Sequence, residues 1–348
     1  MTQSVTLTPS PGQEAPARRR IRGGRDLLGL LIATIALFIV LTFAAPSFAT
    51  TANLLNLMRD VSFVGIIAFG MTFVIIAAEI DISVGSAMAF ASALLGSFFL
   101  DFGIPLPLTC LLVLAAGTLV GLFAGFIRAK TSVPSFIVTL ALFTALRGAA
   151  LMITDALLRS VVIPEFTFWG AGSLLGIPLP AILMLVTFAV FWFVSTRTAF
   201  GRSVYAVGGN EAAAQLSGIS VVRVRVLIFA ITGFLAAVSG LLLSARIGTS
   251  NASIGNGVEF AVISAVIVGG ASLYGGRGSM VGTLLGVLFI GMLNNGMVLM
   301  GVNSYAQGVA QGAIVLGAVL ISAYVNRDQS GRKTFLGFRT KSKKTAVA

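Results

Sequence analysis

The sequence predicts an all-α polytopic membrane protein with about ten transmembrane helices, both termini in the cytoplasm, and one short helix inside its longest internal polar stretch. Three observations carry this. First, 57% of the residues are hydrophobic and only 10% are charged, at a mean hydropathy of +1.02. A soluble domain carries about 25% charged residues, so this chain lacks the polar surface needed to face water. Second, the apolar residues come in runs long enough to cross a bilayer as helices. Third, nineteen of the 23 Lys and Arg residues lie in the two tails and in the loops on the same side as them. The opposite side holds Arg59, Arg159 and Arg246, and Arg147 lies within a span. That imbalance orients the chain with its tails inside. It also accounts for the net charge of +12 without a nucleic-acid partner.

Taken in order, residues 1–25 form a disordered basic cytoplasmic tail with Arg18, Arg19, Arg20, Arg22 and Arg25. The membrane domain covers 26–326. Its first run starts near Leu27, is long enough to span, and has no cleavage pattern, so it is a helix and not a signal peptide. Spans are expected over 28–45, 61–78, 84–100, 107–127, 135–153, 179–196, 226–245, 259–273, 279–299 and 307–325. Residues 46–60 and 246–258 are expected as outer segments. Residues 154–178 form the longest outer loop, where Phe166, Phe168 and Trp169 suit the membrane interface. Residues 327–348 are a second basic cytoplasmic tail.

The stretch Gly201 to Arg225 reads GRSVYAVGGNEAAAQLSGISVVRVR. Asn210 can cap a helix by accepting from the backbone N–H two or three residues on. Glu211 suits the positive end of the helix dipole. Ala212 and Ala213 are the strongest helix formers, and Gly218 can take the left-handed conformation that ends a helix. The result is a helix of roughly 10 Å. Arg202, Arg223 and Arg225 flank it and place it in the cytoplasm. Spacing alone leaves an ordinary charged loop equally open.

Glu79, Asp81, Ser83 and Gly85 interrupt what would otherwise be one apolar hairpin. Acidic groups near a membrane core are costly and mark function. Asp81 or Ser83 can cap the next span, making a broken helix that lines a cavity; a plain inner turn is the alternative. Asn294 and Asn295 lie mid-span, and Gln307 and Gln311 lie one turn apart. Their amides can bond a polar solute or glue helices together. Arg147 is expected to snorkel, and Glu259 to cap a helix. Gly117, Gly121 and Gly125, and again Gly278, Gly282 and Gly286, recur every four residues and let helix backbones approach closely within the subunit. No histidine occurs, Cys110 stands alone, and no GxxxxGK[ST] occurs, so the chain carries neither metal site, catalytic cluster nor nucleotide site of its own, and no cofactor is expected. A transport subunit is expected, not an enzyme.

The run GRSVYAVGGNEAAAQLSGI resembles the cytoplasmic coupling loop of ribose-type ABC sugar-importer permeases. GMTFVIIAAEIDISVGS (70–86), VPSFIVTLALFTALRG (133–148) and VIVGGASLYGGRGSMVGTLLGVLFIGMLNNGMVLMGVNSY (266–305) resemble the same family, in the same order. The resemblance covers roughly 28–325. It implies a multi-pass subunit of the bacterial inner membrane, two copies of which line a path for a monosaccharide. A separate ATPase would bind the cytoplasmic face, and a periplasmic binding protein would deliver the sugar. Residues 210–218 would then be the coupling helix. Related permeases carry nucleosides or branched-chain amino acids, which keeps those solutes open; a secondary transporter is the further alternative. Glu79 departs from the family pattern, which often has a small residue there.

Overall fold

The computed structural model describes residues 23–317, 319 and 320. Apart from the first residues of the first helix, the two expected tails lie outside the described residues. The helices are α1 Gly23–Ala44, α2 Thr51–Ile76, α3 Val84–Gly96, α4 Leu106–Lys130, α5 Ser135–Thr154, α6 Pro164–Ala171, α7 Leu179–Arg197, α8 Ala199–Gly209, α9 Glu211–Leu216, α10 Val221–Ile247, α11 Val258–Val268 and α12 Met280–Leu299. A π-helical turn over Ser97–Asp101 extends α3, and a further helix begins at 304. Among the described residues strands are confined to two-residue pairs: β1 Arg159–Ser160 runs antiparallel to β4 Thr249–Ser250, and β2 Ser173–Leu174 to β3 Ile177–Pro178.

Eight of the described helices are long and apolar enough to cross a membrane. The ten-span expectation is corrected at one place. Residues 259–273 do not form a span. They yield the 11-residue α11, bounded by Gly257 and Gly270, both with positive φ. At 1.5 Å per residue α11 covers about half a hydrocarbon core. The expected tenth span falls partly outside the described residues. Within the expected outer segment 46–60 the helix already begins at Thr51: Thr50 caps α2, its hydroxyl accepting from the Asn53 N–H, so the helix starts ten residues before its apolar run.

α2 runs through the middle of the bundle, packed by α7, α10, α11 and α12. Of its apolar window 83% is buried, against 11% for α1, so α2 is enclosed by the bundle and α1 lies on its outside. Phe43, Leu111, Leu119, Ile137 and Phe193 point outward, as expected of a surface bathed in acyl chains. The glycine stripe on α4 seats antiparallel along α10. A Cβ at Gly117 would come within 2.8 Å of the Gly233 carbonyl oxygen, and one at Gly125 within 2.7 Å of the Val226 Cα. Gly282 and Gly286 meet the carbonyls of Gly269 and Ala265 in the same way. Both stripes are packed within the subunit, as expected. Because lipid is as apolar as the helix faces, such close backbone contact supplies much of the attraction between helices.

Contacts sort the loops into two ends. At one end Arg159 pairs with Asp101, Arg246 with Asp60, and Asn53 with Asn295. At the other lie the C-terminal ends of α2, α4 and α7, with α8, α9 and the start of α10.

Candidate functional site

α9 forms as its local sequence dictates. Asn210 is extended, at φ −163° and ψ 102°, and its side-chain oxygen accepts from the Ala213 N–H at 3.0 Å. Gly218 turns left-handed at φ +81°, and the Ile219 N–H donates back to the Ala214 carbonyl at 3.0 Å. Only Ala214 of the helix is buried; Ala212 and Ala213 face outward, and Leu216 is 91% exposed. Sequence reading passed over Leu216 because a lone leucine has no periodic partner.

Behind α9 lies an ion-pair cluster that sequence reading did not assemble. The Arg225 guanidinium donates from Nη1 and Nη2 to both Glu211 oxygens, at 2.8 and 2.7 Å. Its Nε donates to Glu79 Oε1 at 2.6 Å. The other Glu79 oxygen accepts from Arg128 Nε at 2.8 Å. The planar fork of arginine suits such two-sided bridging, and a lysine would not reproduce it. The Glu79 side chain is 2% exposed and Arg225's 10%, whereas that of Glu211 is 51% exposed. Hydrogen bonds from Arg225 hold the Glu211 carboxyl below its usual range. The cluster ties α9 and α10 to α4 and to the turn between α2 and α3.

That turn is a break in the helical hairpin. Ala78 has φ +62°, and the Glu79 N–H closes the end of α2 on the Val74 carbonyl. The chain then runs without regular structure past Ile80 and Ile82. Side chains of α5 satisfy its exposed backbone: Ser135 Oγ accepts from the Ile80 N–H at 3.0 Å and Thr139 Oγ1 from the Ile82 N–H at 3.2 Å. Asp81 Oδ1 accepts from both the Ser83 N–H and hydroxyl, at 2.9 and 2.6 Å. Ser83 therefore sits at the cap position of α3 without itself capping it. A non-helical backbone at this depth survives only where such partners replace water.

The polar residues expected along a path do not converge. Glu79, Asp81 and Ser83 are together at the α9 end. Asn295 is at the opposite end, in a reciprocal amide pair with Asn53 at 2.9 and 3.0 Å. Asn294 and Asn295 line a cavity of about 270 Å³ with Asp60, Val64 and Val287. Gln307 donates to the Val302 carbonyl and Gln311 to that of Gly257.

Arg147 does not snorkel. Its Nη1 donates to the carbonyls of Ala252 and Ile254, at 2.6 and 3.0 Å, and so holds the segment between β4 and α11. That segment re-enters the bundle, with Gly255 against the backbone of Gly85 in the first turn of α3. Glu259 opens α11, as expected, but is 2% exposed and packs on Gly85.

A family model described as "Branched-chain amino acid transport system / permease component" matches residues 53–323. The chain is 50% identical to the probable ABC transporter permease protein YphD of Escherichia coli (strain K12) over 95% of this chain and 99% of that one. It is 42% identical to the ribose import permease protein RbsC of Haemophilus influenzae, over 84% of this chain and 92% of that one. It is 34% identical to the xylose transport system permease protein XylH of Escherichia coli (strain K12), over 86% and 92%. No solved structure matches it. With most of its length aligned to such relatives and its membrane helices in place, the chain belongs to the ribose-type ABC sugar-importer permeases.

Proposed function

We propose that this subunit forms, with a second copy, the path of a bacterial inner-membrane importer for a monosaccharide of the ribose or xylose type. The sugar arrives from a periplasmic binding protein. Hydrolysis takes place on a separate ATPase docked at the cytoplasmic face. The observation that carries the reading is α9: a capped, small-surfaced helix with Leu216 bare at its tip, at the end of the bundle where Arg128, Arg197, Arg202 and Arg223 gather. The names of the relatives support a sugar over an amino acid or nucleoside. Asn210, Glu211, Ala212, Ala213 and Gly218 act by shaping and presenting α9. Asp81, Ser83, Asn294, Asn295, Gln307 and Gln311 are the residues from which contacts to a hydroxylated solute would come.

Docking is tested by Ala213→Trp, which adds bulk on the exposed side of α9. The variant is expected to insert and fold normally, to lose its ATPase partner on co-purification, and to lose sugar uptake in reconstituted vesicles. Full uptake and an intact complex would reduce α9 to a passive connection. Orientation is tested by reporters. One fused after Asn326 is expected to report the cytoplasm and one inserted near Ser173 the periplasm; a periplasmic signal from the first would overturn the topology.

A further inference from the structure

We infer that Arg225 is a positioning residue for energy coupling: it locks α9 to the α2–α3 turn, so that movement imposed on α9 is passed to the membrane helices. This rests on the reading of α9 as the ATPase contact and deepens it. A six-residue helix has no stable form of its own in water. Its Asn210 cap and Gly218 exit shape it but fix it to nothing. The Arg225–Glu211 bridge is the one ion pair among the described residues that ties α9 to the rest of the bundle. The same guanidinium meets Glu79, which is fully enclosed and also held by Arg128. Glu79 in turn begins the stretch that Ser135 and Thr139 strap to α5. One side chain thus joins a surface helix to the break in a buried hairpin. On this arrangement Glu79 anchors the mechanism and does not touch the solute. A buried carboxylate is costly unless paired, and the pairing here has a mechanical use.

The test uses the complete complex of permease, ATPase and binding protein in vesicles. Glu211→Gln keeps the size of a half-exposed side chain and removes only its charge. Arg225→Lys keeps the charge and removes the fork. Each is expected to retain the ATPase subunit on co-purification. Each is also expected to lose about tenfold in uptake and in the rise of ATP hydrolysis caused by loaded binding protein, within the range of coupling constants seen between sites. Spin labels at Gln215→Cys and Lys130→Cys, both exposed, in a Cys110→Ser background, supply a readout of position. A single narrow distance is expected with Glu211 present, and a broad one in Glu211→Gln. Full uptake with an unchanged narrow distance in Glu211→Gln would overturn the inference. So would loss of the ATPase from that variant, since the residue would then belong to the docking face itself. The underlying reading fails separately, if Ala213→Trp keeps both partner and uptake.

Discussion

Arg147→Met is expected to bring sugar uptake close to background while a reduced amount of protein still reaches the membrane. The side chain keeps its apolar stem and loses its guanidinium, so packing along α5 changes little. The loss falls on the segment between β4 and α11. There the carbonyls of Ala252 and Ile254 share one donor, Arg147 Nη1. Each buried carbonyl left without a partner costs about 1–3 kcal/mol. The segment has little else to hold it. It turns through Gly255 and Gly257 in left-handed conformations. Its other side-chain ties to the bundle run to Ser92, whose carbonyl takes the Ser250 hydroxyl and whose hydroxyl takes the Asn251 N–H, and to Gln311, whose amide donates to the Gly257 carbonyl. Glu259 would also lose the cation that faces it across the segment. Arg147→Lys, with one compact charge in place of a fork, is expected to regain part of the activity. The measurement is uptake per unit of permease on immunoblot, beside the melting temperature in detergent. Wild-type values for both in Arg147→Met would show that the segment holds itself.

Gly121→Leu is expected to abolish the folded subunit. A Cβ at Gly121 would overlap the carbonyl oxygen of Phe229 and stand 2.9 Å from the Ala230 Cα. These are backbone atoms, so no rotamer change can make room. α4 would have to lift from α10 over the stretch where Gly117 and Gly125 are equally close, and the attraction between those helices is contact itself. Overpacking of this kind costs about 3 kcal/mol or more when neighbours cannot shift. Gly29→Leu on α1, with no atom within 4 Å, is the control and is expected to be neutral. Yield of monodisperse protein after detergent extraction distinguishes them. Equal yields would mean that α4 and α10 are held by something other than the glycine seam.

Much of the membrane architecture is legible in the sequence because the bilayer imposes it. α4, α5, α7 and α12 lie within a few residues of their apolar runs. α9 is legible for another reason: Asn210 and Gly218 act on atoms three or four residues away. What failed was tertiary. The start of α2 is polar, with Asn53, Asn56, Arg59 and Asp60, and reads as loop. Asn53 meets Asn295 and Asp60 meets Arg246, residues far along the chain. α8 lies in the polar stretch outside the expected short helix; Thr198 caps it, its hydroxyl accepting from the Gly201 N–H, and Gly208 lets it approach the Ile76 carbonyl. Glu79 reads as part of a helix break, and nothing local reveals its ion pair with Arg225, 146 residues away. Arg147 near a helix end reads as a snorkelling cation, since nothing local reveals the two carbonyls it faces.

α10 has 27 residues and so measures about 40 Å from end to end. Its foot is Arg225, beside α9, and its far end presents Arg246 to Asp60, on the rim of the cavity lined by Asn294. α4 is packed closely along its flank by the glycine seam. A rigid rod of that length works as a lever: a tilt of about 3° at the foot sweeps the far end through about 2 Å. That is enough to part the Arg246–Asp60 ion pair. A small tilt at the α9 end of this helix would therefore appear, magnified, at its far end.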